Sequence, residues 1–124
     1  MDFKRFMQRY WHLVAGQHQD GLRACFHPDA CVYWHCTNEQ FTREEFIRVN
    51  CEYPGRWKSE IERMEHRGTL IITVTRVWSE SCSFHAVSFF EINDGFIRRL
   101  DEYWGDDGDA PAWRRALQIG KPIE

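Results

Sequence analysis

Phe3, Phe6, Met7, Tyr10 and Val14 recur at spacings of three and four along the start of the chain. That period lays one apolar stripe on a helix, which Asp2 is placed to cap and which Gly16 ends near Ala15. Asp20 then opens a short second helix through Leu22, Ala24 and Cys25, and Pro28 prevents it from continuing. The β-branched and aromatic run Cys31-Val32-Tyr33-Trp34-His35 predicts a strand. Thr42-Arg43-Glu44-Glu45 is a capping box, with Phe41 before the cap and Phe46 at the fourth helical position as a hydrophobic staple. The helix it opens carries Phe46, Val49, Asn50 and Tyr53 along one face and stops at Pro54-Gly55.

Beyond Arg56 the pattern changes to strands, at about 57–66, 69–78 and 82–92, with Asn93-Asp94-Gly95 turning into a fourth at 96–104. Short connections between them imply an antiparallel meander. Past the acidic loop Gly105-Asp106-Asp107-Gly108-Asp109, Pro111 and Gly120 bracket a short C-terminal helix holding Trp113, Leu117 and Ile119. Helices followed by a run of strands predict one α+β domain over residues 1–124, a curved antiparallel sheet covered by the N-terminal helices. The cone-shaped space between the layers is a usual place for a small-molecule pocket.

Composition narrows the function classes. Forty-three per cent of the residues are hydrophobic, with nine Phe, six Trp and four Tyr, which is ample material for one core. Sixteen basic against nineteen acidic side chains leave a net charge of -3, so a nucleic-acid backbone is not an expected partner. Apolar runs such as Leu70-Ile71-Ile72 are far too short to cross a bilayer, and the amphipathic opening is no signal peptide, so no membrane association is expected. Five cysteines without a C-x-x-C pattern point to a reducing, cytoplasmic setting instead of a disulfide framework. His27, His35 and Cys36 have no paired ligand spacing, and the acidic loop lacks an EF-hand pattern, so no metal and no cofactor is expected.

The order of elements, the run Phe26-His27-Pro28-Asp29-Ala30 into the first strand, and the last hairpin from Asp94-Gly95-Phe96-Ile97 to Glu102-Tyr103-Trp104 resemble the nuclear transport factor 2-like (NTF2-like) superfamily, and within it the SnoaL-like branch. The resemblance spans nearly the whole chain. It implies a cone-shaped α+β barrel, commonly a homodimer through the outer sheet face, in a superfamily of isomerases, dehydratases, cyclases, epoxide hydrolases and non-catalytic binding domains. Set against ketosteroid isomerase, Tyr10 falls at the family's tyrosine position. The base position reads Trp34 and the second oxyanion-hole position falls near Val87 or Ser88, which argues against that specific activity.

The same resemblance turns the face of the last strand bearing Arg98, Leu100, Glu102 and Trp104 toward the pocket. Glu102 would then lie against Trp34, Trp104 and Phe90, where desolvation raises a carboxyl into the range of general acid–base work. The competing reading pairs Glu102 with Arg98 as a structural ion pair. His85 is a second proton-transfer candidate: with Ser88 inward, strict alternation turns it to the outer face, and a bulge would reverse that. Asn50 and Tyr53 offer an amide and a phenol to orient a ligand, with Trp57 as a wall, or else a network holding the helix end. Trp34, Trp78 and Trp104 suggest a flat, apolar ligand, although core packing accounts for them too. The expectation is therefore a cytoplasmic domain that binds a small, partly apolar metabolite, and either isomerises, dehydrates or hydrolyses it through Glu102 with Tyr10 or His85, or serves as a non-catalytic ligand-binding or dimerisation module.

Overall fold

Local sequence rules place the first two layers. In the computed structural model, which describes residues 1–123, Asp2 caps α1 (Phe3–Gly16) by accepting the Arg5 N–H at 3.1 Å. The helix buries Met7, Tyr10, Trp11, Leu13, Val14 and Ala15, a wider face than the predicted stripe, with Phe3 and Phe6 only half-covered. Its stop differs from expectation. Gln17, not Gly16, takes the left-handed conformation (φ 55°), and the N–H groups of Gln17 and His18 close onto the carbonyls of Val14 and Leu13. α2 (Gln19–Cys25) is flanked at its start by His18, so Asp20 sits inside the first turn and is not the cap.

The capping box forms as read: Glu45 N–H reaches the Thr42 hydroxyl at 3.2 Å and the Glu45 carboxylate accepts Thr42 N–H at 2.9 Å. It opens α3 (Arg43–Glu52), whose buried residues are Phe46 and the unpredicted Ile47.

Six strands make one sheet in the order β2-β1-β6-β5-β4-β3. β3 (Lys58–Arg67), β4 (Leu70–Trp78), β5 (Ser83–Asn93) and β6 (Phe96–Asp106) form the expected meander. β1 (Phe26–Trp34) is longer than predicted and pairs parallel to β6, with an irregularity between Phe26 and Cys31 that accommodates Pro28. The sheet is therefore not wholly antiparallel. A 3-10 turn at His35–Thr37 leads into β2 (Glu39–Thr42), a short edge strand with only one apolar side chain to announce it. The sheet is curved and does not close.

Two bulges set which side chains face inward. β3 carries Glu62 as an extra residue opposite Val74–Thr75, and β6 carries Arg98 as an extra residue opposite Glu91–Ile92. The inner face presents Ile71, Thr73, Thr75 and Val77 from β4, Ala86, Ser88 and Phe90 from β5, and Ile97, Leu100 and Glu102 from β6. These pack beneath Met7, Tyr10, Trp11 and Leu22. The predicted C-terminal helix shrinks to one turn, α4 (Ala112–Arg115), because its apolar residues find no surface to cover: Trp113, Leu117 and Ile119 are 67%, 55% and 69% exposed.

Candidate functional site

Strand register builds a row of side chains across the inner face. Trp34 lies beside Glu102, Glu102 beside Ser88, and Ser88 beside Thr73. Neighbours directly abreast point the same way, so their polar atoms meet. Trp34 Nε1 donates to Glu102 Oε1 at 3.0 Å, and Ser88 Oγ donates to Oε2 at 2.6 Å. One place further along, Trp11 Nε1 donates to Thr73 Oγ1 at 3.1 Å.

Glu102 is 1% exposed. Burial pushes its carboxyl up from the ordinary 4.5 to about 7, because removing the charged form from water outweighs the stabilisation from Ser88, Trp34 and Trp104. The Trp104 indole N–H faces the same carboxyl without the geometry of a hydrogen bond and is left without a partner. The Tyr10 hydroxyl and Thr75 Oγ1 are also buried and unpaired among the described residues. Burial raises Tyr10 well above the usual phenol value and the nearby Glu102 charge raises it further, so Tyr10 is a neutral donor. It is wedged edge-on among Trp11, Phe26 and Phe90, with ring centres 5.5, 5.9 and 5.2 Å away.

Above this layer a pocket of about 210 Å³ opens at the end of the cone. Trp34, Tyr53, Trp57, Phe84 and Trp104 form its aromatic wall, and Asp106 stands among its lining residues. Trp34 and Trp104, with ring centres 6.2 Å apart at 67°, line the pocket on one side and aim their N–H groups toward Glu102 on the other. Neither Glu102 nor Tyr10 lines the pocket itself. The acid lies one layer beneath the aromatic floor, and its link to the pocket runs through two indoles.

The family model of the SnoaL-like domain matches residues 7–100. The chain belongs to the SnoaL-like domain family. Solved structures with the same fold include a proposed ketosteroid isomerase from Kribbella flavida, 24% identical, with 97% of this chain and 90% of that one covered and a TM-score of 0.80. An NTF2-like protein of unknown function from Burkholderia xenovorans is 22% identical, with 98% and 94% covered and a TM-score of 0.78. An LEH-like epoxide hydrolase from M. tuberculosis is 15% identical, with 82% and 80% covered and a TM-score of 0.66. No curated protein matches the sequence. At these identities the solved structures speak to the fold and not to the chemistry.

Within this SnoaL-like domain the predicted site residues separate into groups. Glu102, Tyr10, Ser88 and Phe90 meet in the buried layer. Trp34, Trp104, Asn50, Tyr53 and Trp57 meet around the pocket. Asn50 is also structural: its Nδ2 donates to Val14 O at 3.1 Å, while Gln17 Nε2 donates to the carbonyls of Asn50 and Tyr53 at 3.0 and 2.6 Å, tying α1 to α3. Trp57 Nε1 is spent on Pro54 O at 3.2 Å.

Three expected residues lie elsewhere. Trp78 falls on the outer face, because Val77 takes the inward position on β4, and Arg76 stacks over its ring at 4.4 Å. The bulge takes Arg98 out of the inward series, and its guanidinium meets the His27 ring at 3.0 Å, so it forms no ion pair with Glu102. His85 follows strict alternation to the outer face, where Nδ1 pairs with Asp107 and Nε2 with Glu62 at 2.8 Å. Those carboxylates, Asp107 first, raise its pKa. Nine lining residues were missed, Phe84 and Asp106 among them. Phe84 continues the inward series 84, 86, 88, 90, and Asp106 continues 102, 104, 106 on a strand that runs two residues past its expected end.

Proposed function

We propose that this SnoaL-like domain binds a small, partly apolar metabolite in its aromatic pocket and, without a cofactor, moves a proton through Glu102 in an isomerisation, dehydration or hydrolysis. The observation that carries the reading is a carboxyl poised at about 7 directly beneath the pocket's two indoles. Such a group exchanges a proton in either direction near neutral pH, which is what acid–base chemistry at a substrate carbon or oxygen needs. Ligand entry has to displace Trp34 or Trp104 for the carboxyl to meet the reacting atom. Tyr10, a neutral buried hydroxyl without a partner, is the matching donor to an oxygen that gains charge.

A second reading has its own support. The closed indole floor keeps Glu102 from touching anything in the pocket, which suits a binding domain that performs no reaction. The two separate on one measurement. Native mass spectrometry of the purified protein identifies the class of any co-purified ligand, and a compound of that class is then offered to the wild type and to Glu102→Gln. Loss of turnover with binding retained supports the catalytic reading, and binding without turnover by the wild type removes it. The proposal keeps a cytoplasmic homodimer joined through the outer sheet face, where Tyr103 is 43% exposed and Phe89 packs edge-on against it at 6.1 Å. Sedimentation equilibrium tests that part.

A further inference from the structure

The pocket's lining is one-sided in charge. Among the described residues, Asp106 is its single charged side chain, and neither lysine, arginine nor histidine lines it. Asp106 lies directly across from Phe84 in the β5–β6 ladder, so carboxylate and ring stand side by side at the rim. The next residue, Asp107, is taken up by Ser83 and His85, whereas Asp106 has no ion-pair or hydrogen-bond partner for its side chain among the described residues. A neutral apolar ligand has no use for a carboxylate in this position, and an anion would meet it with nothing to offset the repulsion.

The rings themselves are arranged as a box. Tyr53 meets Trp57 at 76° with centres 5.1 Å apart, Tyr53 meets Phe84 at 83°, Phe84 meets Trp104 at 85°, and Trp104 meets Trp34 at 67°. Trp57 and Phe84 lie closer to parallel, at 34° with centres 5.6 Å apart, so the rings present aromatic surface to the pocket from several directions. The face of each ring carries negative charge density, and three of the five rings are indoles, the strongest of the aromatic side chains in attracting a cation. Glu102, behind the indole floor, adds further negative potential whenever it is ionised.

We infer that the pocket takes an organic cation, a small alkylated ammonium whose methyl or methylene groups fill the aromatic box while its charge faces Asp106. This assigns a chemical class to the ligand of the proposed function and rests on that reading of the pocket. A protonated or quaternary amine on an otherwise apolar body satisfies both the rings and the carboxylate.

The test uses a pair of probes equal in shape and different in charge, choline and 3,3-dimethylbutan-1-ol, titrated into the full chain by calorimetry at fixed ionic strength. Choline binds at least about tenfold more tightly than the uncharged alcohol, the size expected for a partly desolvated cation–aromatic contact. Asp106→Asn, a change at an exposed rim position, reduces choline affinity severalfold and leaves the alcohol unaffected. Equal or tighter binding of the alcohol, or indifference of choline to Asp106→Asn, overturns the cation inference while the small-molecule pocket stands. Binding of neither probe also overturns the cation inference, while the small-molecule reading of the pocket stands or falls on the co-purified ligand.

Discussion

Glu102→Gln should make the protein about 3 kcal/mol more stable at pH 8 and less than about 1 kcal/mol more stable at pH 5. The folded carboxyl holds its proton to about 7, whereas in the unfolded chain it titrates near 4.5. Below 4.5 both states are protonated. As pH rises from 4.5 to 7 the unfolded chain releases the proton first, so stability falls; above about 7 both are ionised and the loss levels off. At about 1.36 kcal/mol for each pH unit separating the two values, the whole effect is roughly 3 kcal/mol, and no discount for solvent screening applies to a side chain 1% exposed. Between pH 5 and pH 8 the wild type therefore loses about 2.5 kcal/mol through this one group.

Glutamine has the shape of the protonated acid, can accept from Trp34 and donate to Ser88, and does not titrate. Urea unfolding at pH 5 and pH 8, followed by tryptophan fluorescence, isolates the effect as the difference between the two proteins, since every other titrating group is common to both. The expected advantage of the variant at pH 8 corresponds to about 10 °C in Tm for a domain of this size. Parallel pH dependence in the two proteins, or a variant less stable than the wild type at pH 8, would refute the claim that Glu102 is buried with a raised pKa.

His85 has its folded pKa raised by Asp107 and Glu62, so its contribution to stability is complete below about 6.5 and lost as pH climbs through the folded value; His85→Gln should lower Tm more at pH 6 than at pH 9, and an equal drop at both would contradict the ion-pair geometry. Removing the α3 cap with Thr42→Ala should cost about 1 kcal/mol in chemical denaturation, since the hydroxyl satisfies the Glu45 N–H. Truncation after Asp109 should move Tm by less than about 2 °C, because Trp113, Leu117 and Ile119 face solvent; a larger fall measured by calorimetry would mean that the tail is covered in solution. These outcomes involve separate parts of the molecule and should be nearly additive with Glu102→Gln.

What could be read from sequence was local or periodic. The capping box at Thr42 and Glu45 depends on four adjacent residues, and the four long strands are punctuated by turns at Gly68, Ser79–Ser81 and Asp94-Gly95. The errors arose where long-range pairing decides. β2 has too few apolar residues to be visible and exists because β1 offers it an edge. Arg98 reads as inward on any ungapped strand, and only its opposition to Glu91–Ile92 reveals the extra residue. Trp78 looked like a pocket residue because it is large and aromatic, yet the inward phase of β4 is set by Ile71, Thr73, Thr75 and Val77. Sequence leaves the facing of His85 open between strict alternation and a bulge; β5 alternates without interruption from Phe84 to Phe90, which turns His85 outward. The separation of Glu102 from the pocket by Trp34 and Trp104 was not legible at all, since it depends on how two indoles fill the space above the sheet.

That separation bears on what the carboxyl is for. Ionised, Glu102 costs the fold stability at neutral pH, and a glutamine or an aliphatic side chain would fill the same space without that penalty. Packing therefore does not account for a carboxyl here. Trp34 and Ser88 engage its two oxygens and the Trp104 N–H also steadies its charge, while the Trp104 N–H and the Tyr10 hydroxyl have no partner in hydrogen-bond geometry among the described residues. Buried donors without partners are costly unless something arrives to accept from them. On the proposed reading an acceptor entering past Trp104 would meet an indole N–H and a carboxyl near its own midpoint of titration. On that reading the buried layer and the opening above it act together, which predicts that a ligand in the pocket shifts the pH dependence of unfolding in the wild type and leaves that of Glu102→Gln unshifted.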